Sequence, residues 1–229
     1  MPRPLLEFFV NRKKEIKDIT RILLAGGNVL LLGLRGYGKS ALAGRIVDIL
    51  ERKGVKTLYI DCLKIVDPPS LLSEANRDWE QMNRNDRIRI ERGLNAREIL
   101  DKFFRKLSEK QVRVLVLDEI TALLRRFGEF APFSSIGGAK AVASYIRDYL
   151  ESAQLGILAS DTSIGAIYDL VLDYSSPLLK SFQKVIFLDP LQVSDAADLL
   201  TMVMKKQGKS IDRDVALIAA QRLFGVPQY

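Results

Sequence analysis

Histidine is absent from the 229-residue chain, and cysteine occurs once, as Cys62. Without imidazole there is no Ser-His-Asp triad and no His-ligated zinc, so catalysis would depend on carboxylates, lysine, hydroxyls and a hard metal ion. A single cysteine excludes an internal disulfide and favours a reducing compartment. No apolar run reaches the ~18 residues that cross a bilayer, and the N-terminus lacks a signal-peptide cleavage site. These absences predict a cytoplasmic protein without a membrane partner.

Basic residues outnumber acidic ones. The net charge is +7, and the segment 84–113 carries ten Lys or Arg against five Asp or Glu. Such a bias favours anionic partners, including nucleic acid. It is also typical of an exposed helix face that only solvent covers. Duplex DNA therefore stays open as a partner.

Short apolar segments alternate with helical patterns along residues 1–190. Five of these segments have the apolar composition of buried strands: NVLLLGL, VKTLYIDC, VRVLVLDEI, LGILASDT and KVIFLDP. This alternation predicts a three-layer α/β fold around a mainly parallel five-stranded sheet. Beyond Pro190 only helical patterns remain, so we expect an α/β core over 1–190 and a small helical lid over 191–229. The ending GVPQY, with no polar tail, is typical of a fragment of a longer protein.

The stretch GLRGYGKS, residues 33–40, lies between the first apolar strand and the helical pattern ALAGRIVDIL. It fills the pattern G-x-x-x-x-G-K-S, in which glycines let backbone N–H groups face a phosphate at a positively polarised helix N-terminus. The lysine reaches the β- and γ-phosphates, and the serine hydroxyl can ligate Mg²⁺. The motif predicts a P-loop NTPase whose nucleotide contacts are Gly33, Arg35, Gly36, Tyr37, Gly38, Lys39, Ser40 and Ala41. Tyr37 either covers the ribose or base or fills a variable position.

Two acids, Asp118 and Glu119, end the strand VLVLD about eighty residues after this loop. Ligands of open α/β sheets bind at the carboxyl ends of the strands, so we expect both acids to meet the loop. Asp118 would hold Mg²⁺ together with Ser40. Glu119 would orient an attacking water, while Lys39 stabilises charge on the phosphates. The combination predicts magnesium-dependent nucleotide hydrolysis.

With these motifs the chain resembles the archaeal-type ATPases of the extended AAA+ and STAND group, which are related to the origin-recognition replication initiators. GLRGYGKS and VLVLDEI match the two Walker motifs, FVNRKKEI (9–16) resembles the family's N-terminal motif, and FGVPQY resembles the G-x-P signature that ends its helical lid. The resemblance implies ATP as the nucleotide. It also implies that Phe9, Val10 and Arg12 contact the base, and that Pro227 of the lid signature lies near the nucleotide.

Other segments match the family less closely. GILASDTS is similar to the sensor 1 strand, whose polar tip is Ser160 or Asp161 here, and Asp161 is the third candidate catalytic residue. Lys180 occupies the position of an arginine finger, where it offers a point charge without the bidentate fork. In many relatives a winged-helix domain follows the lid.

The resemblance implies an ATPase that works as a conformational switch or motor. One alternative is a DNA-linked ATPase of replication, recombination or mobile elements. The other is a STAND-like signalling or scaffold switch with slow or no autonomous hydrolysis. A homo-oligomer and a protein partner both stay open.

Overall fold

The structure is a computed structural model that describes residues 8–80, 93–152, 155–162, 164–174 and 176–227. Residues 84–92 of the basic segment 84–113 therefore lie outside the described residues. The five strands are β1 (Val29–Leu32), β2 (Thr57–Asp61), β3 (Val114–Asp118), β4 (Gly156–Asp161) and β5 (Lys184–Phe187). They form one sheet in the order β2-β3-β4-β1-β5, and every pairing is parallel.

Helices cover both faces of this sheet. Their bounds are α1 (Lys13–Leu24), α2 (Lys39–Arg52), α3 (Pro68–Glu80), α4 (Ala96–Glu109), α5 (Ile120–Gly128), α6 (Ala139–Ser152), α7 (Ile164–Ile167), α8 (Val193–Lys206) and α9 (Arg213–Arg222). Side chains alternate along β3, so Val114 and Val116 pack with α1 and α2, whereas Leu115 and Leu117 pack with α3 to α6. The predicted three-layer α/β fold is confirmed.

The parallel pairing brings the carboxyl ends of the strands to one edge. Asp61 at the end of β2 is in register with Asp118 at the end of β3. Leu32 at the end of β1 is in register with Asp161 at the end of β4. The loop after β1 and the acids after β3 therefore meet at this edge.

Helices α8 and α9 follow the sheet and pack on each other through three buried alanines, Ala197, Ala216 and Ala220. The two helices cover the span predicted as a lid, although their separation from the core as a unit stays a prediction. In the described part of the chain, no helix is both long and apolar enough to cross a membrane.

The end of α9 folds back onto the segment that precedes α8. The backbone N–H of Leu191 donates to the carbonyl of Gly225 at 3.0 Å, and the N–H of Gly225 donates to Ala220 at 3.0 Å. Gly225 has a φ of +68°, and a Cβ there would overlap the carbonyl oxygen of Leu191. Only glycine suits both the left-handed backbone and the close approach.

Gly225→Ala should therefore destabilise the chain more than Gly208→Ala, the matched control. Gly208 has a φ of +71° but open space around its Cβ position, so its substitution carries only the left-handed strain of about 1 kcal/mol. The overlap at Gly225 should add about 1–3 kcal/mol. Urea unfolding of both variants measures the difference, and equal losses would contradict the close contact with Leu191.

Candidate functional site

A cavity of about 590 Å³ lies at the carboxyl edge of the sheet. Its wall is formed by the loop after β1, by the ends of β2 and β3, by the residue after β4 and by the last described residue of the chain. The lining residues are Arg35, Gly36, Gly38, Lys39, Ser40, Ala41, Asp61, Leu63, Asp118, Glu119, Thr162 and Pro227. The cavity thus brings the glycine-rich loop and both predicted acids together.

The loop itself curls through left-handed backbone at Gly36 and Gly38, each with a φ of +89°. Gly38 is the N-cap of α2 and has no side chain, so the first turn of α2 presents its N–H groups without a side-chain cap. Gly33 has a different reason to be glycine. A Cβ there would lie 2.9 Å from the carbonyl oxygen of Leu188, just after β5. Gly33 packs against the segment that follows β5 and does not line the cavity.

Lys39, at the start of α2, is held inside the cavity wall. Its Nζ donates to the carbonyl of Gly33 at 2.8 Å, to the carbonyl of Leu34 at 3.3 Å and to Thr162 Oγ1 at 2.7 Å. Burial lowers the pKa of Lys39, and the carboxylate of Glu119 is the strongest opposing influence. The buried ammonium group of Lys39 thus donates to two carbonyls and a hydroxyl, all of which are uncharged. Such a cation is suited to bind an anion.

Asp118 is buried at the end of β3 between two hydroxyls. Tyr59 on β2 donates its hydroxyl to Asp118 Oδ2 at 2.5 Å, and Ser160 on β4 donates to Oδ1. The Ser40 side chain lies near the same Tyr59 hydroxyl. Burial and the charge of Asp118 raise the pKa of Tyr59, so its hydroxyl stays a neutral donor. Ser40 and Asp118 therefore both lie beside the Tyr59 phenol, and their hydroxyl and carboxylate oxygens fit the hard-ligand preference of Mg²⁺.

Glu119 has a left-handed backbone, with a φ of +60°, at the N-cap of α5. This conformation is uncommon for a residue with a Cβ and is found most often at functional sites. The Glu119 carboxylate accepts hydrogen bonds from Thr162, from its N–H at 3.1 Å and from its hydroxyl. Burial raises the pKa of Glu119. Lys39 and Glu119 therefore share the hydroxyl of Thr162.

Ser160 and Asp161, the two candidates for the polar tip of sensor 1, both lie at the end of β4. Asp161 is buried beneath the site, where its Oδ2 accepts from the Thr121 N–H at 2.9 Å and from the Thr121 hydroxyl at 2.7 Å. Ser160 contacts Asp118 and also lies outside the cavity wall. Thr162, the next residue, lines the cavity instead, and the catalytic role of Asp161 stays a prediction.

A narrower, mostly apolar cavity of about 40 Å³ adjoins the first one, with Gly38, Ala41 and Pro227 common to both. Its full lining is Phe8, Phe9, Val10, Arg12, Tyr37, Gly38, Ala41, Leu191, Leu199 and Pro227. All the residues for which the resemblance implies base contact lie here. Tyr37 lines this cavity too, which favours the alternative in which it covers the ribose or base.

Arg12 has partners of its own within the protein. Its guanidinium donates to the carbonyl of Asp189 and to Glu15 at 3.4 Å. Nearby, Asn11 Nδ2 donates to Asp195 Oδ2 at 2.6 Å. These contacts fasten the segment before α1 to the segment that leads into α8. Lys180, at the position of the arginine finger, is exposed and lines neither cavity.

Sequence reasoning missed Asp61, Leu63 and Thr162 in the cavity wall, and Tyr59 behind it. A signal existed for Asp61, which ends the strand pattern VKTLYID at the same sheet edge as Asp118. Leu63 and Thr162 follow strand ends, but their orientation depends on the local turn. Tyr59 lies within the buried apolar strand β2, and the sequence pattern of this strand does not indicate that the tyrosine hydroxyl makes a polar contact.

A family model described as an ATPase domain predominantly from Archaea matches residues 9–225. The chain belongs to this archaeal ATPase family. Its fold is that of a P-loop ATPase of the AAA+-like type. A search of curated proteins found no match.

Solved structures resemble this archaeal-type ATPase in fold. A Walker-type ATPase of Pyrococcus abyssi is 20% identical with a TM-score of 0.70, over 96% of this chain and 65% of that one. The ORC1 protein of Aeropyrum pernix, solved in complex with DNA, is 18% identical with a TM-score of 0.61, over 97% and 63%. A STAND protein with a tetratricopeptide repeat sensor from Pyrococcus horikoshii is 16% identical with a TM-score of 0.53, over 98% and 29%. The chain thus spans less than two thirds of each of these proteins.

Tyr59→Phe should remove the donor that holds Asp118 Oδ2, and thereby lower both stability and the effect of magnesium on nucleotide binding. Loss of a hydrogen bond to a buried carboxylate costs about 1–3 kcal/mol. The measurements are urea unfolding and the affinity for a fluorescent ATP analogue with and without Mg²⁺.

Tyr149→Phe is the matched control, because its hydroxyl donates to Asp101 at 2.5 Å on the α4–α6 side, away from both cavities. This variant should lose stability but keep the full effect of magnesium. The role of Tyr59 would be refuted if the two variants depended on magnesium alike.

Proposed function

We propose that this archaeal-type ATPase binds Mg²⁺-ATP, hydrolyses it to ADP and phosphate, and works as a conformational switch or motor. The observation that carries the proposal is the convergence of Lys39, Ser40, Asp118 and Glu119 on one cavity, in front of the uncapped N-terminus of α2. A glycine-rich loop with its lysine, a hydroxyl and two acids is the set that phosphoryl transfer to water requires.

The phosphates would lie along the loop and the base in the adjoining apolar cavity. Lys39 would exchange the carbonyls of Gly33 and Leu34 for phosphate oxygens, which carry charge and are therefore stronger acceptors. Phe9 and Tyr37 would contact the base by apolar packing. Ser40 and Asp118 would hold Mg²⁺, which neutralises charge on the phosphate oxygens.

Glu119 would orient the attacking water, and Thr162 connects it to the loop. The Thr162 hydroxyl contacts both Lys39 and Glu119. When Lys39 binds a phosphate, the Thr162 hydroxyl loses its hydrogen bond from Lys39. The hydrogen bond from this hydroxyl to the Glu119 carboxylate would then change as well. We infer that arrival of the γ-phosphate releases the carboxylate of Glu119 for its task.

Movement of the helical pair α8–α9 would be the output. Pro227, just after α9, lines both cavities, and Gly225 fastens the end of α9 to Leu191. A nucleotide that fills the cavities therefore contacts the end of the lid directly. The part of this contact on the phosphate side would differ between ATP and ADP, and the whole contact would be lost without a nucleotide, as a switch requires.

Two finer roles have support from different observations. The net charge of +7 and the likeness to a protein solved with DNA support a DNA-linked motor. The likeness to a STAND protein supports a signalling switch with slow turnover. Both likenesses are below 25% identity and show fold alone, so an experiment has to decide.

Glu119→Gln should bind ATP as the wild type does but release phosphate at least ~100-fold more slowly, because the amide cannot accept a proton from water. Lys39→Ala should weaken ATP binding itself. Glu109→Gln is the control, since Glu109 is an exposed carboxylate on α4 that pairs with Lys106. Phosphate release and calorimetric ATP affinity are measured for all three. A Glu119→Gln variant with wild-type turnover would contradict the proposed role of Glu119.

The same assay with duplex DNA at low and moderate salt separates the two finer roles. Stimulation by DNA that disappears as salt rises supports the DNA-linked motor, since phosphate contacts release counterions. Tight ATP binding with little turnover in either condition supports the signalling switch. A wild-type chain that does not bind ATP would contradict the proposed function as a whole.

A further inference from the structure

A groove of about 390 Å³ lies between α1 and the C-terminal half of α2, and it shares no residue with the two cavities of the proposed ATP site. It is lined by Ile16, Lys17, Thr20, Arg21, Leu24, Ile49 and Lys53. The first five come from one stripe of α1 that covers about 12 Å at 1.5 Å per residue. The groove is therefore long enough for about two turns of another helix.

The floor of the groove contains a hydroxyl without a partner. Thr20 is 6% exposed, and its Oγ1 makes no hydrogen bond. A buried hydroxyl that gives up water without gaining a partner costs about 1–3 kcal/mol. Valine would have the same shape at this position without that cost. Because the Oγ1 atom is closed to solvent, Thr20 contributes its shape to the floor of the groove and not a hydrogen bond.

The rim of the groove carries three cationic side chains, Lys17, Arg21 and Lys53. Lys17 and Lys53 have no acidic partner within the described ranges. The Arg21 side chain is 75% exposed and lies 3.9 Å from Asp18. Lys184 already engages the same aspartate at 2.7 Å. No carboxylate lines the groove, so its electrostatics favour an anionic occupant.

Apolar side chains lie between these cations. Leu24 is 44% exposed, and Ile16 and Ile49 are partly buried in the groove wall. Contact with an apolar partner would remove these surfaces from water, which is favourable. A duplex nucleic acid would contact the rim only, because phosphates and sugars have no apolar ridge for the floor.

We propose that this groove binds an acidic amphipathic helix of a partner protein. Carboxylates of that helix contact Lys17, Arg21 and Lys53, and its leucine-type side chains pack between Ile16, Leu24 and Ile49. This is the helix-in-groove mode of recognition, in which apolar spacing gives affinity and flanking charge gives selectivity.

The test uses a fluorescein-labelled peptide of about four helical turns (~14 residues) with leucines on one face and glutamates beside them. A second peptide has glutamine in place of every glutamate. Fluorescence anisotropy with the full chain should show at least ~tenfold tighter binding of the glutamate peptide, a difference of about 1.4 kcal/mol. Equal affinities for the two peptides would overturn the proposal.

Variants of the protein test whether the peptide binds in the groove. The double substitution Lys17→Glu and Lys53→Glu should lower the affinity for the glutamate peptide at least ~tenfold. The control pair Lys205→Glu and Lys209→Glu makes the same charge change at exposed positions in and after α8, and should leave binding close to wild type. The proposal fails if both pairs have the same effect.

Thr20→Val tests whether the floor of the groove contributes shape alone. It should leave the affinity for the peptide close to wild type while the thermal midpoint stays the same or rises, because the variant keeps the shape and removes an unpaired hydroxyl. A several-fold loss of peptide affinity would contradict this role of Thr20. A short DNA duplex that binds the same groove more tightly than the peptide, with the same loss in the Lys17 and Lys53 pair, would overturn the choice of partner.

Discussion

The parallel arrangement of five strands is the constraint on which the rest of the structure depends. Because every strand runs in the same direction, all five carboxyl ends meet at one edge, and each loop that leaves this edge can contribute to a common cavity. The order β2-β3-β4-β1-β5 places β4 between the phosphate loop after β1 and the acids after β3. Residues far apart in the chain, such as Lys39 and Thr162, therefore come within 2.7 Å.

Hydroxyl groups orient the carboxylates of this site, which has no imidazole. Tyr59 and Ser160 hold the carboxylate of Asp118, Thr162 holds that of Glu119, and Thr121 holds that of Asp161. Each hydroxyl donor is neutral, so it orients a carboxylate without cancelling its charge. That charge stays available to a metal ion or a water, which a lysine or arginine in the same place would partly neutralise.

Elements with strong local signals could be predicted from the sequence. The five strands are continuous apolar runs, and the loop 33–40 has its lysine, serine and left-handed glycines at fixed spacing, so both follow from short-range chemistry. Asp118 and Glu119 follow from the same logic, because a strand end at a known sheet edge fixes where its next residues lie.

Positions that depend on tertiary contacts could not be predicted. Asp161 and Thr162 are adjacent polar residues, and only the contact of Asp161 with Thr121 of α5 decides which of them faces the cavity. Asparagine often caps a helix, yet the side chain of Asn11 contacts Asp195, and α1 begins after Arg12. The unpaired hydroxyl of Thr20 is equally invisible in a helical pattern, where threonine normally bonds to the preceding turn or to water.

The position of α2 has a mechanical consequence. Its first residues, Lys39 and Ser40, lie in the larger cavity, and Ile49 near its other end lies in the basic groove. Ten residues of helix between them are a stiff rod of about 15 Å. If α2 moves as a rigid body when the phosphate loop tilts, the wall of the groove is displaced with it. The phosphate loop and the groove would then be connected through the backbone of a single helix.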